Sequence, residues 1–157
     1  MLRTLHDLFD SLLSPAHETP AEAAQRLRLA TAVLLVEVMR AHRGFAAPER
    51  AAVLAALQRE FALAEPDART LLGQAEAAAG QATDFQTYTT VLNERLDEAQ
   101  KLRVIEAMWQ VAYADGQLDA YENHVLWRIA DLLYVPHGGY IAAKMRARDA
   151  AGVGPEL

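Results

Sequence analysis

The chain has 157 residues, a formal net charge of −6 and 23% charged residues. This length and composition are typical of one globular domain, and the acidic balance argues against a nucleic-acid partner. The sequence contains no cysteine, which excludes disulfides, thiolate metal sites and cysteine nucleophiles. The N-terminus does not resemble a signal peptide, and no apolar run approaches the ~20 residues of a membrane span, so we expect a cytoplasmic protein with no membrane span.

Strong helix formers dominate the sequence, and alanine is its most abundant residue. Apolar residues recur at helical spacing between proline, glycine and capping signals, and no segment alternates long enough to indicate a β-strand. These patterns predict an all-α fold, a compact bundle of seven to eight helices, as a single domain over residues 1–149 with a disordered tail at 150–157. In chain order the predicted helices cover about residues 2–13, 20–41, 48–63, 66–79, 85–96, 98–112, 120–133 and 140–147.

Two glycine corners in the sequence share the same surroundings. At Gly44, and again at Gly116, a long apolar helix ends, a turn follows and an amphipathic helix begins. This internal repeat predicts two helix–turn–helix halves related by a pseudo-twofold axis. We expect the axis to bring the two corners together, so that oxygen ligands from both halves face a common centre.

The second corner carries three carboxylates, Asp115, Asp119 and Glu122. Compared with a helix–loop–helix calcium loop, they match the fifth, ninth and twelfth positions. The first and third positions would be Val111 and Tyr113, which supply no side-chain carboxylate. Because a hard cation takes six or more oxygen ligands, the remaining ligands must come from elsewhere in the fold.

Glu37 is the predicted fourth ligand. It interrupts an apolar stretch of a helix, where an unpaired carboxylate would cost several kcal/mol. It therefore either pairs with Arg40, one helical turn further on, or points toward the acidic corner and completes a site between the halves. The sequence thus nominates Asp115, Asp119, Glu122 and Glu37 as ligands of a divalent ion, which could be Ca²⁺, Mg²⁺, Mn²⁺ or Zn²⁺.

The acidic corner also has a metal-free interpretation. Asp115 can accept a hydrogen bond within its own turn, while Asp119 caps the next helix and Glu122 completes the capping box. These local hydrogen bonds account for every acidic residue of the corner without an ion.

The first corner offers fewer candidates. His42 could ligate a transition metal or remain solvated, and Glu49 lies in a first helical turn, where a carboxylate meets the helix dipole favourably. Arg43 would repel a cation, so we expect no independent site in this half. Its guanidinium could instead neutralise Asp115 or Glu122.

Four aromatic residues cluster in sequence around the acidic corner. One interpretation is that they pack where two helices meet, and the other is that some of them form an exposed docking surface. The four residues are Trp109, Tyr113, Tyr121 and Trp127.

Residues 35–41, before the first corner, and residues 111–122, at the second, resemble the TerB-like family, which is associated with tellurite resistance. The resemblance extends over about residues 20–147. The module is also similar to the N-terminal domain of a membrane-anchored DnaJ-type co-chaperone. The resemblance implies an all-α fold of two related halves, with an acidic cluster at their junction for which divalent metal binding has been suggested.

The same resemblance identifies individual residues. Asp115, Asp119, Glu122 and Glu37 match acidic positions of the family pattern, whereas Arg43 stands where an aspartate is usual. The departure at Arg43 argues against a site with two metal centres. The family label does not imply tellurium chemistry for this chain, which has no thiol to reduce tellurite.

The motifs of common enzymes are missing from the sequence, including a nucleophile elbow, a phosphate-binding glycine loop and the Glu-x-x-His pairs of di-iron proteins. We therefore expect a non-enzymatic stress-response module that acts through protein partners of unknown identity and holds a divalent ion. The first alternative is a metal-free interaction domain, and the second is a metal-dependent hydrolase. A homodimer and peripheral recruitment to a membrane stay open.

Overall fold

The computed structural model describes residues 18–42, 47–79 and 84–153. Over these ranges the chain forms seven α-helices and no strand, which confirms the predicted all-α bundle. The predicted first helix, Arg43 and Gly44 lie outside the described residues. The helices are α1 (Pro20–Arg40), α2 (Ala47–Phe61), α3 (Glu65–Ala79), α4 (Gln86–Arg95), α5 (Glu98–Ala112), α6 (Ala120–Leu132) and α7 (His137–Ala150).

Helix α1 is the centre of the bundle. Thr19 caps it by accepting a hydrogen bond from the backbone N–H of Glu22 at 3.1 Å, and Pro20 occupies the first helical position, as the sequence predicts. Its residues from Ala30 to Val36 are all buried, because α1 packs against α2, α3, α4, α5 and α6. A helix that is surrounded in this way must be apolar on nearly every side.

The last helix is longer than predicted. It begins at His137, directly after Pro136, and it ends at Ala150 instead of Ala147. Gly139 lets α7 pack closely on α5, because a Cβ at this position would lie 2.8 Å from a methyl group of Leu102. Ala150, the first residue of the predicted tail, is therefore the last residue of this helix.

The core runs through both halves of the bundle. Trp109 and Tyr113 are buried on α5 and at its end, where their rings stack on each other and Trp109 also contacts the ring of Tyr140 on α7. Two of the four aromatic residues around the acidic corner thus belong to the hydrophobic core. Within the described ranges, no helix combines the length and the apolar character needed to cross a membrane.

Candidate metal site at the junction of two helical corners

Two corners of the fold meet at one point. The first connects α1 to α2, and it places His42 just beyond the end of α1 and Glu49 as the third residue of α2. The second connects α5 to α6, and it places Asp115 after α5 and Glu122 as the third residue of α6. The expectation that the corners of the two halves come together agrees with the contacts that these residues make.

The imidazole of His42 is the centre of this cluster. Its Nδ1 lies 2.9 Å from Oε1 of Glu122 and 3.4 Å from Oε2 of Glu49. On the opposite edge of the ring, Nε2 lies 3.0 Å from Oδ2 of Asp115. One histidine from the first half therefore contacts three carboxylates, two of which belong to the second half.

The two glutamates are completely buried, each with 0% exposure. As an ionised carboxylate, Glu49 accepts no hydrogen bond from a described residue, although Nδ1 of His42 lies 3.4 Å from its Oε2, and Oε2 of Glu122 accepts none either. Buried polar atoms are almost always hydrogen-bonded in native proteins. These three oxygen atoms therefore require an explanation, and a bound cation or a proton would each supply one.

The environment of Glu49 opposes its ionisation. Burial raises its pKa to about 10, assisted by a hydrogen bond that its protonated form donates to Glu122 and by the negative charges of Glu122, Asp115 and Asp119. Without a cation, burial and these neighbouring carboxylates therefore favour the protonated form of Glu49.

The same carboxylates favour the charged form of His42. Its hydrogen bond to Glu122 raises the pKa of His42, the charges of Glu122, Asp115 and Asp119 add to this, and burial opposes it. The contacts of His42 with Glu122 and Asp115 thus favour its imidazolium form beside the acidic corner. Arg43, which the sequence suggests for this role, lies outside the described residues.

The acidic corner is fixed by its own backbone. Glu122 accepts a hydrogen bond from the backbone N–H of Asp119 at 3.2 Å, and the side chain of Asp119 accepts one from the backbone N–H of Glu122, which together form the predicted capping box. Asp119 also accepts a hydrogen bond from the backbone N–H of Tyr121 at 2.7 Å. Asp115 accepts a hydrogen bond from the N–H of Gln117 at 3.0 Å. Gly116 supports this turn with φ +84°, a conformation that favours glycine.

Capping leaves part of each carboxylate available. Asp115 uses Oδ1 for the turn and presents Oδ2 to His42. Glu122 uses Oε1 for both the cap and His42, and Oε2 remains buried without a partner among the described residues. The metal-free interpretation from the sequence is therefore correct about the caps, but capping does not account for all the oxygen atoms.

Glu37 lies in a different environment. Its Oε1 is 3.4 Å from Nη1 of Arg40, the partner that the sequence offers as the alternative to a cation. Burial raises the pKa of Glu37, and the charge of Arg40 opposes the rise. Burial also raises the pKa of Tyr88 on α4, and the charge of Glu37 adds to this rise. The structure does not bring Glu37 to His42, so its proposed role as a ligand gains no support from the geometry.

The cluster has the spacing of a metal site. One nitrogen of His42 and one oxygen each from Glu49 and Glu122 lie within 4.8 Å of one another. Ligands bound at about 2.1 Å from a metal lie about 3.0 Å apart along an octahedral edge and about 3.4 Å apart along a tetrahedral edge. The observed Nδ1–oxygen distances of 2.9 and 3.4 Å are compatible with these edges, and the 2.9 Å contact is at the same time a hydrogen bond between His42 and Glu122.

Asp115 is suited to a supporting role. It faces Nε2 of His42, so an Nε2–H that donates to its carboxylate would leave the lone pair of Nδ1 directed at the two glutamates. A carboxylate–histidine–metal arrangement of this kind is common around protein-bound metals and fixes the histidine tautomer. The described contacts of Asp119 are within its own helix cap, so its contribution to the cluster is its negative charge.

An all-helical bundle whose two corners meet at a buried histidine–carboxylate cluster defines a helical module with a candidate metal site at the junction of its halves. The family model of the tellurite resistance protein TerB matches residues 28–145, which is most of the chain. The chain therefore belongs to the TerB family. Comparisons with curated proteins and with solved structures gave no significant match. The relation to the DnaJ-type co-chaperone domain stays a prediction.

Sequence reasoning considered His42 and Glu49 but did not select them as ligands. The signal for Glu49 was its position in the helix, because Glu49 and Glu122 are both the third residue of the helix that follows a corner. Aligning the chain on Gly44 and Gly116 obscured this equivalence, since that alignment pairs Glu122 with Arg50. The burial of His42 depends on contacts across the two halves, which local sequence does not report.

Proposed function

We propose that the protein is a non-catalytic TerB module that binds one divalent metal ion through His42, Glu49 and Glu122, with Asp115 orienting the histidine. The ion would join the corner between α1 and α2 to the corner between α5 and α6. In this way it would fix the angle between the two halves, which the module presents to protein partners in a stress response.

The observation that carries this proposal is the carboxyl group of Glu49, which is buried beside Glu122 and His42 and, when ionised, accepts no hydrogen bond from a described residue. A glutamate that served only the dipole of α2 could do so at the surface, where its charge would remain hydrated. Burial beside a second carboxylate is costly unless a cation or a proton compensates the charge. A cation bound between Glu49, Glu122 and Nδ1 of His42 would have three protein ligands.

Metal binding would replace protons that the cluster holds in its absence. Glu49 is protonated when no metal is present, and His42 has a raised pKa. If Glu49 and His42 each lost one proton, the charge of the cluster would fall by two. A bound divalent ion would add two positive charges. The exchange would thus leave the net charge of the buried cluster unchanged.

The donor set favours some ions over others. Imidazole nitrogen suits Zn²⁺ and other transition metals, whereas Ca²⁺ and Mg²⁺ prefer oxygen ligands alone. A site with one nitrogen and two carboxylate oxygens therefore favours Zn²⁺, then Mn²⁺, over Ca²⁺ and Mg²⁺. The burial of Glu49 and Glu122 resembles closed structural metal sites more than open catalytic ones, which supports a non-enzymatic role.

Isothermal titration calorimetry with ZnCl₂, MnCl₂, CaCl₂ and MgCl₂ tests the proposal, together with thermal unfolding in each salt. Zn²⁺ at 100 times its dissociation constant should stabilise the wild-type protein by about 2.7 kcal/mol. Glu49→Gln and His42→Gln should both remove this effect. Glu98→Gln, which changes an exposed glutamate in the first turn of α5, serves as the matched control and should retain it. No heat and no stabilisation with any of the four ions would exclude the metal.

The second candidate is a metal-free interaction domain, and the complete capping box of α6 favours it. In that case the proton on Glu49 and the imidazolium of His42 would be the permanent partners of the acidic corner. The two candidates differ in one measurement, because only the metal-binding module changes its melting temperature when EDTA is replaced by Zn²⁺.

A further inference from the structure

The candidate metal site is closed to solvent. Both carboxylate oxygens of Glu49 and Oε2 of Glu122 have almost no accessible surface, and the two residues as a whole are 0% exposed. A metal ion in water carries a shell of water molecules, which makes it larger than the water molecule that already fails to reach these oxygens. A side chain must therefore move before an ion can enter the site.

Of the four side chains that meet in the cluster, two reach solvent. The side chain of His42 is 9% exposed and that of Asp115 is 19% exposed. The ring of His42 separates Asp115 from the buried glutamates, because Nε2 faces Asp115 whereas Nδ1 faces Glu49 and Glu122. The route from solvent to the two glutamates therefore leads past this imidazole ring.

His42 is also the member of the cluster that the backbone fixes least. Glu49 and Glu122 both lie in the first turn of a helix, and the capping box of α6 holds the side chain of Glu122 as well. His42 follows Ala41, the residue that caps the end of α1, and its N–H donates a hydrogen bond to the carbonyl of Met39 at 3.2 Å. Its ring can therefore change rotamer about the Cα–Cβ bond while the backbone stays in place.

Two contacts hold the ring of His42 in its present position. The inner contact joins Nδ1 to Oε1 of Glu122 at 2.9 Å, and the outer contact joins Nε2 to Oδ2 of Asp115 at 3.0 Å. Asp115 is itself fixed, because its Oδ1 accepts the hydrogen bond from the N–H of Gln117. An arriving ion would replace the inner contact with a bond to Nδ1, whereas the outer contact would persist.

Building on the metal site proposed above, we infer that His42 is the gate of that site as well as one of its ligands, and that Asp115 holds the gate closed. The imidazole would rotate outward to admit the ion and would return to bind it through Nδ1. An open state with a population of about 0.1–10% would slow the capture of the ion about 10- to 1,000-fold relative to diffusion. The module would thus exchange its ion slowly.

Release of Zn²⁺ into the chromogenic chelator pyridylazoresorcinol tests the gate on protein loaded with one equivalent of Zn²⁺. The colour gives the release rate constant, calorimetry gives the dissociation constant, and their quotient is the association rate constant. For the wild-type protein this constant should lie at least about tenfold below the diffusion limit of ~10⁹ M⁻¹ s⁻¹. The release rate should not depend on the chelator concentration, because the ion must pass His42 before the chelator can bind it.

Asp115→Asn distinguishes a residue that holds the gate from one that only orients the histidine. The amide keeps Oδ1 for the hydrogen bond of the turn but replaces a charged contact to His42 with a weaker neutral one. If Asp115 holds the gate closed, association should accelerate at least about fivefold, and release should accelerate by more than the affinity falls. If Asp115 only orients the histidine, release should accelerate and association should not.

Loss of a negative charge at the entrance has an effect of its own, since weaker electrostatic steering slows the capture of a cation. The rates are therefore compared in about 0.5 M NaCl, where charges are screened beyond about 4 Å. Glu98→Gln removes an exposed carboxylate from α5 and serves as the matched control, so its association and release rates should equal those of the wild-type protein.

Three results would overturn the gate. They are association at the diffusion limit in the wild-type protein, a release rate that rises with chelator concentration, and association in Asp115→Asn that is unchanged or slower. Zn²⁺ still binds in each of these cases, so the proposed function would stand. If Zn²⁺ gave no heat of binding and reached the chelator as fast as free Zn²⁺ does, the proposed function would be refuted and the gate with it.

Discussion

Replacing Glu49 by glutamine should raise the stability of the metal-free protein at pH 7 and should remove its stabilisation by metal. Glutamine has the shape of the protonated glutamate and can donate the same hydrogen bond to Glu122, but it cannot ionise. Without metal, the variant should be more stable than the wild-type protein at pH 7. With metal, it should lose the stabilisation, because a neutral amide is a poor ligand.

The magnitude follows from the pKa of Glu49, which burial and the neighbouring carboxylates raise from an ordinary value of 4.5 to about 10. A carboxyl group whose pKa is raised by folding stabilises the folded state at low pH, and this contribution is lost as the pH rises. Between pH 4.5 and pH 7 the unfolded chain releases a proton that the folded chain retains. The loss is about 1.4 kcal/mol per pH unit, or on the order of 3 kcal/mol in total.

Urea unfolding of the two proteins from pH 5 to pH 8 in EDTA measures this effect. The free energy of unfolding of the wild-type protein should fall with rising pH more steeply than that of Glu49→Gln. The two proteins should be similar near pH 5, and the variant should be more stable by up to about 3 kcal/mol at pH 7. Glu98→Gln should follow the wild-type curve, since Glu98 is exposed.

A result of opposite sign would refute the reasoning. If Glu49→Gln destabilised the metal-free protein at pH 7 and left its response to Zn²⁺ unchanged, Glu49 would be ionised and paired within the fold. The carboxylate would then be a structural partner of His42 rather than a metal ligand.

Three further predictions test other parts of the site. In the proposed site Asp115 orients His42, so Asp115→Asn should weaken Zn²⁺ binding about 10- to 100-fold without abolishing it, as calorimetry would show. Zn²⁺ affinity should rise with pH, since the raised pKa values of Glu49 and His42 require protons to leave. Calorimetry in buffers of different ionisation enthalpy should count between one and two protons released, and none would contradict the exchange. Glu37→Gln should alter the melting temperature but not the Zn²⁺ dissociation constant, because Glu37 pairs with Arg40, and a tenfold loss of affinity would place it back among the ligands.

The helices of the described residues were largely predictable because their signals are local. Thr19 and Pro20 start α1, and the capping boxes of Asp97 and Asp119 start α5 and α6 where the sequence indicates. Such caps act within a single turn of chain, so they can be recognised independently of the fold. The start of α7 at His137 was missed because Gly138 and Gly139, which lie in its first turn, are poor helix formers and indicate a break in the sequence.

Half of the candidate site was visible in the sequence. Asp115, Asp119 and Glu122 were identified together because they lie on one continuous corner. His42 and Glu49 belong to the other corner, and each has an ordinary local interpretation as a solvated histidine or a helix-dipole carboxylate. Only the approach of the two corners buries Glu49 and brings His42 into contact with Asp115 and Glu122.

Composition, periodicity and capping by themselves determined that this chain is an all-α bundle with an acidic corner between α5 and α6, because these features depend on residues close in sequence. Tertiary structure alone decided which charges compensate one another. It paired Glu37 with Arg40 and brought His42 to the acidic corner. Burial and the distances between charged groups set the cost of ionisation, and both quantities arise from contacts between residues that are far apart in the chain.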